Sequence, residues 1–251
     1  CFPCRFVLRI LAYFVILQKE QSKGVRRRVA ALWFLFCGFA GVCNMCAQKS
    51  VTAQKMERLG FVNVGEADST LRVSLMYARP DNFLGRVLYK DLREAYLHPK
   101  AAKALLLAQK ELRTLCPELS LIVFDAARPM HIQQQMWNAV AGTEKKIYVC
   151  NPRNGGGLHN YGMAVDVSLF NIHSGDTLDM GTKVDFLGKY AHIDQEEKLV
   201  ADGVISPQAR ANRLLLRRVM RKAGFVPLKT EWWHFNFISR AEAKAHYKAI
   251  P

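Results

Sequence analysis

Cysteine is nearly missing from the body of this chain. Of seven cysteines, Cys1, Cys4, Cys37, Cys43 and Cys46 crowd the first 46 residues, leaving only Cys116 and Cys150. No CxxC pair survives beyond residue 46, so a disulfide framework and a thiolate metal cluster are both excluded there; Cys116 and Cys150 could form one disulfide or remain buried free thiols. Acidic residues are scarce as well, 21 against 36 Lys and Arg, for a formal charge of +15. Residues 1–55 carry nine of those cations against Glu20 alone and so hold +8 of the excess. The remainder has no Lys/Arg run interleaved with exposed aromatics, which makes its charge a solvated surface rather than a nucleic-acid footprint. Repeats and low-complexity linkers are absent, excluding a solenoid or a chain of beads, and one domain from about residue 55 to 251 is expected.

No long apolar run is present either. Lys23 and Arg26-Arg27-Arg28 precede an apolar stretch from Val29 to about Val42, too short to span a bilayer comfortably. This is the pattern of an export signal, with cleavage expected before Gln48 at the small residue Ala47. Val42 before Cys43 and Met45 before Cys46 are poor lipoprotein contexts, so lipidation or a retained anchor is the less favoured alternative. Residues 1–47 are therefore expected to be a leader, residues 48–251 the mature domain, and the protein exported, to the periplasm. A second apolar run, Phe6 to Leu17, precedes the signal, and a translation start near Val25 is expected.

Within the domain, helix and strand signals alternate. Pro99 opens a stretch of high helix propensity ending near Cys116-Pro117. Ser206-Pro207 caps a helix whose apolar stripe is read as Leu214, Leu215, Val219 and Met220, stopped by Gly224. Ser239-Arg240-Ala241-Glu242 has the spacing of a capping box. Strands are expected at Leu71–Tyr77, Leu119–Phe124, Met163–Leu169 and Trp232–Ile238. The fold class is α+β, with a central, mostly antiparallel sheet flanked by helices and a zinc site at the sheet.

Two motifs carry chemistry. In Gly157-Leu158-His159-Asn160-Tyr161-Gly162-Met163-Ala164-Val165-Asp166, strand alternation sets Ala164, Asp166 and Ser168 on a small, polar face and Met163, Val165, Val167 and Leu169 on the core face. Gly162 permits the turn that returns His159 toward Asp166. The second motif is Glu231-Trp232-Trp233-His234-Phe235. Three ligands drawn from His159, Asp166 and His234 leave the fourth position of a tetrahedral Zn²⁺ open, as a catalytic site requires. Glu231 stands off by one water as a base. Residues three apart on a regular strand face opposite sides, so a turn or bulge must separate Glu231 from His234, or Glu231 must precede the strand. A lone strand histidine is usually a core residue, and Trp232, Trp233, Phe235 and Phe237 are more often core than substrate box; the conjunction of both motifs outweighs that reading. His98, His131, His173, His192 and His246 lack such a setting and are read as surface or supporting residues.

Together these two motifs resemble the zinc D-alanyl-D-alanine peptidases. Three more stretches resemble the dipeptidase branch: Asp81-Asn82-Phe83 running to Tyr89, Asp125-Ala126-Ala127-Arg128-Pro129, and Met180-Gly181-Thr182-Lys183-Val184-Asp185. The resemblance spans roughly residues 60–240. It implies one Zn²⁺ on His159, Asp166 and His234, Glu231 as general base and acid, Arg128 as the cation for the tetrahedral intermediate, and Asp185 as the carboxylate holding the free ammonium of a small dipeptide substrate. The implied reaction is hydrolysis of D-alanyl-D-alanine to two D-alanines in cell-wall peptide metabolism. A zinc D,D-carboxypeptidase trimming peptidoglycan stems and a non-catalytic zinc or cell-wall binding module are the alternatives. Gly157 departs from the family pattern, which has Ser there, and altered binding of the substrate carboxylate is expected.

Overall fold

In the computed structural model, which describes residues 49–251, the alternating stretch around Asp166 becomes the middle strand of a five-stranded sheet. The elements run α1 (Val51–Arg58), β1 (Val62–Asn63), α2 (Val64–Ala67), β2 (Arg72–Val73), β3 (Tyr96–Leu97), α3 (Pro99–Leu115), β4 (Leu119–Asp125), α4 (Met130–Val140), β5 (Ala164–Asn171), α5 (Glu196–Ala201), α6 (Pro207–Lys222), β6 (Val226–Leu228), β7 (Glu231–Asn236) and α7 (Arg240–His246). The sheet order is β2-β4-β5-β7-β6, and only the β2–β4 pairing is parallel. β1 and β3 pair separately. The α+β reading with a mostly antiparallel sheet holds, and residues 49–251 cluster as one unit. The leader assigned to residues 1–47 lies outside the described residues. Among the described residues no helix is long and apolar enough to cross a membrane.

Local chemistry sets the helix ends as read. Pro99 occupies the first turn of α3, which stops at Leu115, and the Ser206 hydroxyl accepts from the Ala209 amide at the start of α6. Ser239 accepts from the Glu242 amide and starts α7. The core sits beneath the sheet, where Met163, Val165, Val167 and Leu169 are fully buried and α3 and α6 pack.

Three readings need correction. The strand expected over Leu71–Tyr77 is only Arg72–Val73, because a 3₁₀ turn at Met76–Ala78 takes over. The stripe of α6 is Leu216, Val219 and Met220, with Leu214 exposed. Helical spacing of three and four puts Ala209, Asn212, Arg213 and Leu216 on one side, so Leu214 faces out. The last strand runs from Glu231 to Asn236 rather than from Trp232 to Ile238, and it pairs with β6, an edge strand that the sequence signals missed because Pro227 interrupts it. Cys116 and Cys150 are both free thiols.

Candidate active site

The register of three neighbouring strands assembles the site. Asp166 on β5 lies opposite Asp125 on β4 and opposite His234 on β7. Asp125 reaches that position through a bulge: Val123 pairs with Val167, but Asp125 already pairs with Asp166, so β4 carries one extra residue. In regular alternation, with no bulge, Asp125 would share the core-facing side of Val123; the bulge turns it to the side of Asp166. His159 arrives from a 3₁₀ turn, Leu158–Tyr161, closed by Gly162 at φ 63°. A Cβ on Gly162 would meet Phe61 at 2.3 Å and the His98 amide nitrogen at 2.9 Å, so the turn requires glycine. The turn is stitched to the next site segment, with the Arg128 amide donating to the His159 carbonyl (2.9 Å) and Asn160 Nδ2 donating to the Arg128 carbonyl (2.8 Å).

His159 Nε2, Asp166 Oδ1 and His234 Nδ1 converge. Their separations are 3.1 Å between the imidazoles, 3.3 Å from His159 to Asp166 and 3.0 Å from His234 to Asp166. Tetrahedral zinc bonds of about 2.0–2.2 Å imply ligand edges of about 3.3–3.5 Å, close to this triangle. The tautomers fit too. His159 Nδ1 lies 2.7 Å from the Ala126 carbonyl and His234 Nε2 lies 2.8 Å from Asn236 Oδ1, so each ring donates its other N–H outward. Three lone pairs then face one another with no proton among them. A cation relieves that repulsion, and the donor set of two imidazoles and one carboxylate suits a divalent metal. In the metal-free protein with both rings protonated, burial raises the Asp166 pKa but the adjacent His159 and His234 override it and hold the carboxylate far below its usual range. Asn236→Leu, which leaves the His234 ring without its outward acceptor, is expected to weaken metal affinity by about 10–100-fold. Competition with a chelator would measure it, and unchanged affinity would mean that the ring needs no such support.

Glu231 begins β7, where the pairing with β6 jumps from Pro227 opposite Phe235 to Leu228 opposite Glu231. This is the irregularity that residues three apart demanded. Glu231 Oε2 lies 4.0 Å from His234 Nδ1, outside direct contact with the ligand triangle. Among the described residues no hydrogen bond holds its carboxyl group. Burial, opposed by His234 and assisted by Asp166 and Asp185, pushes its pKa up to about 7, where a group both takes and returns a proton near neutrality.

Arg128 is buried, and its Nε and Nη2 both donate to Asp125 Oδ2 (2.9 and 2.5 Å) while Nη1 donates to Gln133 Oε1 (2.9 Å). Its guanidinium sits 5.2 Å from the centre of the Tyr77 ring, with Nη2 3.9 Å from Asp166 Oδ2. Asp185 occupies a loop, the one non-glycine residue at positive φ (68°) among the described residues. It caps no helix; it accepts from Tyr77 Oη (2.9 Å) and the Phe83 amide (2.8 Å). Burial raises its pKa to about 6. Asp166, Glu231, His159, His234, Arg128 and Asp185 all line one cavity of about 450 Å³. Gly157 lines it too; a Cβ there would meet Cys150 Sγ at 3.2 Å, so Cys150 must yield slightly to any side chain.

Sequence reasoning missed Asp125, Tyr77 and Asn236 as contributors. Asn236 follows His234 by the strand period of two, and Asp125 precedes Arg128 by three, signals that were available. Tyr77 had none, because only tertiary folding brings it to Asp185.

An open-sided metal triad with a buried, unliganded carboxyl and a buried guanidinium beside it defines a metallopeptidase centre. The chain belongs to the peptidase family described as D-ala-D-ala dipeptidase, whose model matches residues 57–250. It is 34% identical over 170 residues to the D-alanyl-D-alanine dipeptidase of Escherichia coli, covering 66% of this chain and 78% of that protein. Proteins of the same name are 25% identical over 197 residues in Enterococcus faecalis (71% of this chain, 92% of that one) and 28% identical over 194 residues in Streptomyces coelicolor (70% and 90%).

Proposed function

We propose that this protein is a zinc-dependent dipeptidase hydrolysing D-alanyl-D-alanine to two D-alanines, through the domain from residue 48 to 251. The observation that carries the reading is Asp185, a buried carboxylate in the same cavity as the metal triad. An acylated peptide brings no cation to that carboxylate, whereas a free dipeptide brings its ammonium. His159, Asp166 and His234 would hold the zinc ion, which when bound supplies a Lewis acid and lowers the pKa of water. Asp185, fixed by Tyr77 and Phe83, binds the substrate ammonium. Glu231 takes a proton from the attacking water and delivers it to the leaving amine. Arg128, oriented by Asp125 and Gln133, offers positive charge to the oxyanion as it develops.

Release of D-alanine from D-Ala-D-Ala and from N-acetyl-D-Ala-D-Ala tests this. Cleavage of the free dipeptide alone supports it; cleavage of the blocked substrate would move the assignment to a carboxypeptidase, and cleavage of neither, with metal bound, to a binding module. Asp185→Asn keeps the side chain's size and asparagine tolerates positive φ. It is expected to raise KM for D-Ala-D-Ala by about 10–100-fold with a smaller change in kcat, the usual weight of a charge-assisted hydrogen bond. Steady-state kinetics decide, and an unchanged KM would remove Asp185 from amine recognition.

We also infer export to the periplasm, supported by Lys23 and Arg26-Arg27-Arg28 ahead of the apolar stretch from Val29 to about Val42. Cell fractionation and N-terminal sequencing of the mature protein test it.

A further inference from the structure

Arg213 is a fully buried cation on α6, a helix that supplies nothing to the cavity. Its partners lie on the loop that carries Asp185. Nε donates to the Met180 carbonyl (2.7 Å) and Nη2 to the Tyr190 carbonyl (3.0 Å). Those carbonyls bracket the loop, and Asp185 stands midway between them. The guanidinium also lies 5.6 Å from the centre of the Trp232 ring, and Trp232 Nε1 donates to Thr182 Oγ1 (2.8 Å) within the same loop. Next to Arg213, Asn212 Nδ2 donates to the Asp179 carbonyl (2.7 Å).

The charge arrangement is costly for a purely structural post. Glu196 accepts from Arg217 through both carboxylate oxygens, and Arg213 Nη1 lies 3.6 Å from Glu196 Oε1, beyond hydrogen-bonding reach. Two buried guanidiniums thus share one carboxylate, and Arg213 Nη1 has no hydrogen-bond partner among the described residues. Burying a cation with an unmade bond is unfavourable unless the bonds it does make are needed. Those bonds fix both ends of a loop whose midpoint is held at positive φ, a backbone state that persists only where its surroundings impose it.

We propose that Arg213, backed by Trp232, is the positioning residue for ammonium recognition: it holds the 180–190 loop so that Asp185 meets the substrate's free amine. This role rests on the dipeptidase reading above. A guanidinium can bond two carbonyls from fixed directions, whereas a lysine ammonium is a single point on a flexible stem. Arg213→Lys therefore keeps the charge beside Glu196 and loses the span.

The test is steady-state hydrolysis of D-Ala-D-Ala by the metal-loaded protein, with inhibition by acetohydroxamate, a metal chelator without an amine, as the reference. Arg213→Lys is expected to raise KM about tenfold or more, keep kcat within about threefold, and leave acetohydroxamate inhibition unchanged, the signature of lost ground-state binding. Thr182→Val, which removes the acceptor of the Trp232 indole and leaves the buried charges alone, is expected to shift KM in the same direction by a smaller factor. A folded Arg213→Lys protein with a lower melting temperature and an unchanged KM would overturn the role. Should that variant fail to fold, an unchanged KM in Thr182→Val overturns it instead. Failure of the underlying reading looks different: the unsubstituted protein would cleave the N-acetylated dipeptide as readily as the free one.

Discussion

Glu231→Gln is expected to retain the metal and lose about 10²–10⁴-fold in kcat, the usual contribution of a general base and acid. The carboxyl group stands 4.0 Å from His234 Nδ1 and is not one of the three residues of the candidate metal triad, so its replacement leaves those three donors in place. Metal analysis alongside kinetics separates the roles: loss of metal in the variant would make Glu231 a ligand. The same substitution should stabilise the metal-free protein. Burial raises the folded pKa to about 7 from the ordinary 4.5, so the folded state binds the proton more tightly than the unfolded one. The wild-type protein therefore loses stability as pH rises from about 4.5 through about 7, and glutamine, carrying no charge, escapes that loss. Denaturant unfolding of the metal-free proteins should show nearly equal stability near pH 4 and an advantage for the variant on the order of 3 kcal/mol at about pH 8. A carboxyl group kept in a site that disfavours its charged form is the pattern of stability traded for reactivity, as the proposed role of Glu231 requires.

Arg128→Met is expected to be among the most damaging changes to the fold as well as to activity. The guanidinium is buried, and Asp125, with no exposed surface, would keep the Tyr89 hydroxyl (2.6 Å) as a donor and His159 Nδ1 at 3.7 Å, with no full cation against its charge. Removing one partner of a buried ion pair typically costs ~3–5 kcal/mol. Activity should fall by about 10²–10³-fold beyond any unfolding, the usual cost of losing an oxyanion donor, which is the role proposed for Arg128. The paired substitution Asp125→Asn with Arg128→Met separates the two effects, since a neutral asparagine there needs no cation and still accepts from Tyr89. Melting curves should show most of the stability restored in the double variant while hydrolysis stays absent. Recovery of activity with stability would mean that Arg128 is only a structural partner of Asp125.

Much of the candidate site was legible because its candidate ligands follow local rules. His159 and Asp166 sit in a glycine-punctuated turn and strand whose periodicity separates polar from core positions, and the Glu231-to-His234 spacing already demanded an irregular strand. Helix ends at Pro99, Ser206 and Ser239 were legible for the same reason, since caps depend on a few adjacent residues. The short β2 and the Pro-containing β6 were not, because edge strands of two or three residues gain their pairing from neighbours distant in sequence. In the stripe of α6, Val219 and Met220 are buried and Leu215 packs partly buried, but Arg213 is inside and Leu214 outside, the reverse of their hydrophobicities.

The residue types and their order along the chain by themselves determined the fold class, the candidate metal triad, Glu231 as the candidate base and the family resemblance. Tertiary structure alone decided that a bulge in β4 turns Asp125 toward Arg128, that the outward N–H of each ring is spent on Ala126 and Asn236, and that Tyr77 and Phe83 hold Asp185. It also decided that a buried arginine ties down the loop around Asp185. The physical reason is range: turn chemistry and strand period act over a few residues, whereas pairing register and the desolvation of a charge depend on segments up to about a hundred residues apart, as Tyr77 and Asp185 are.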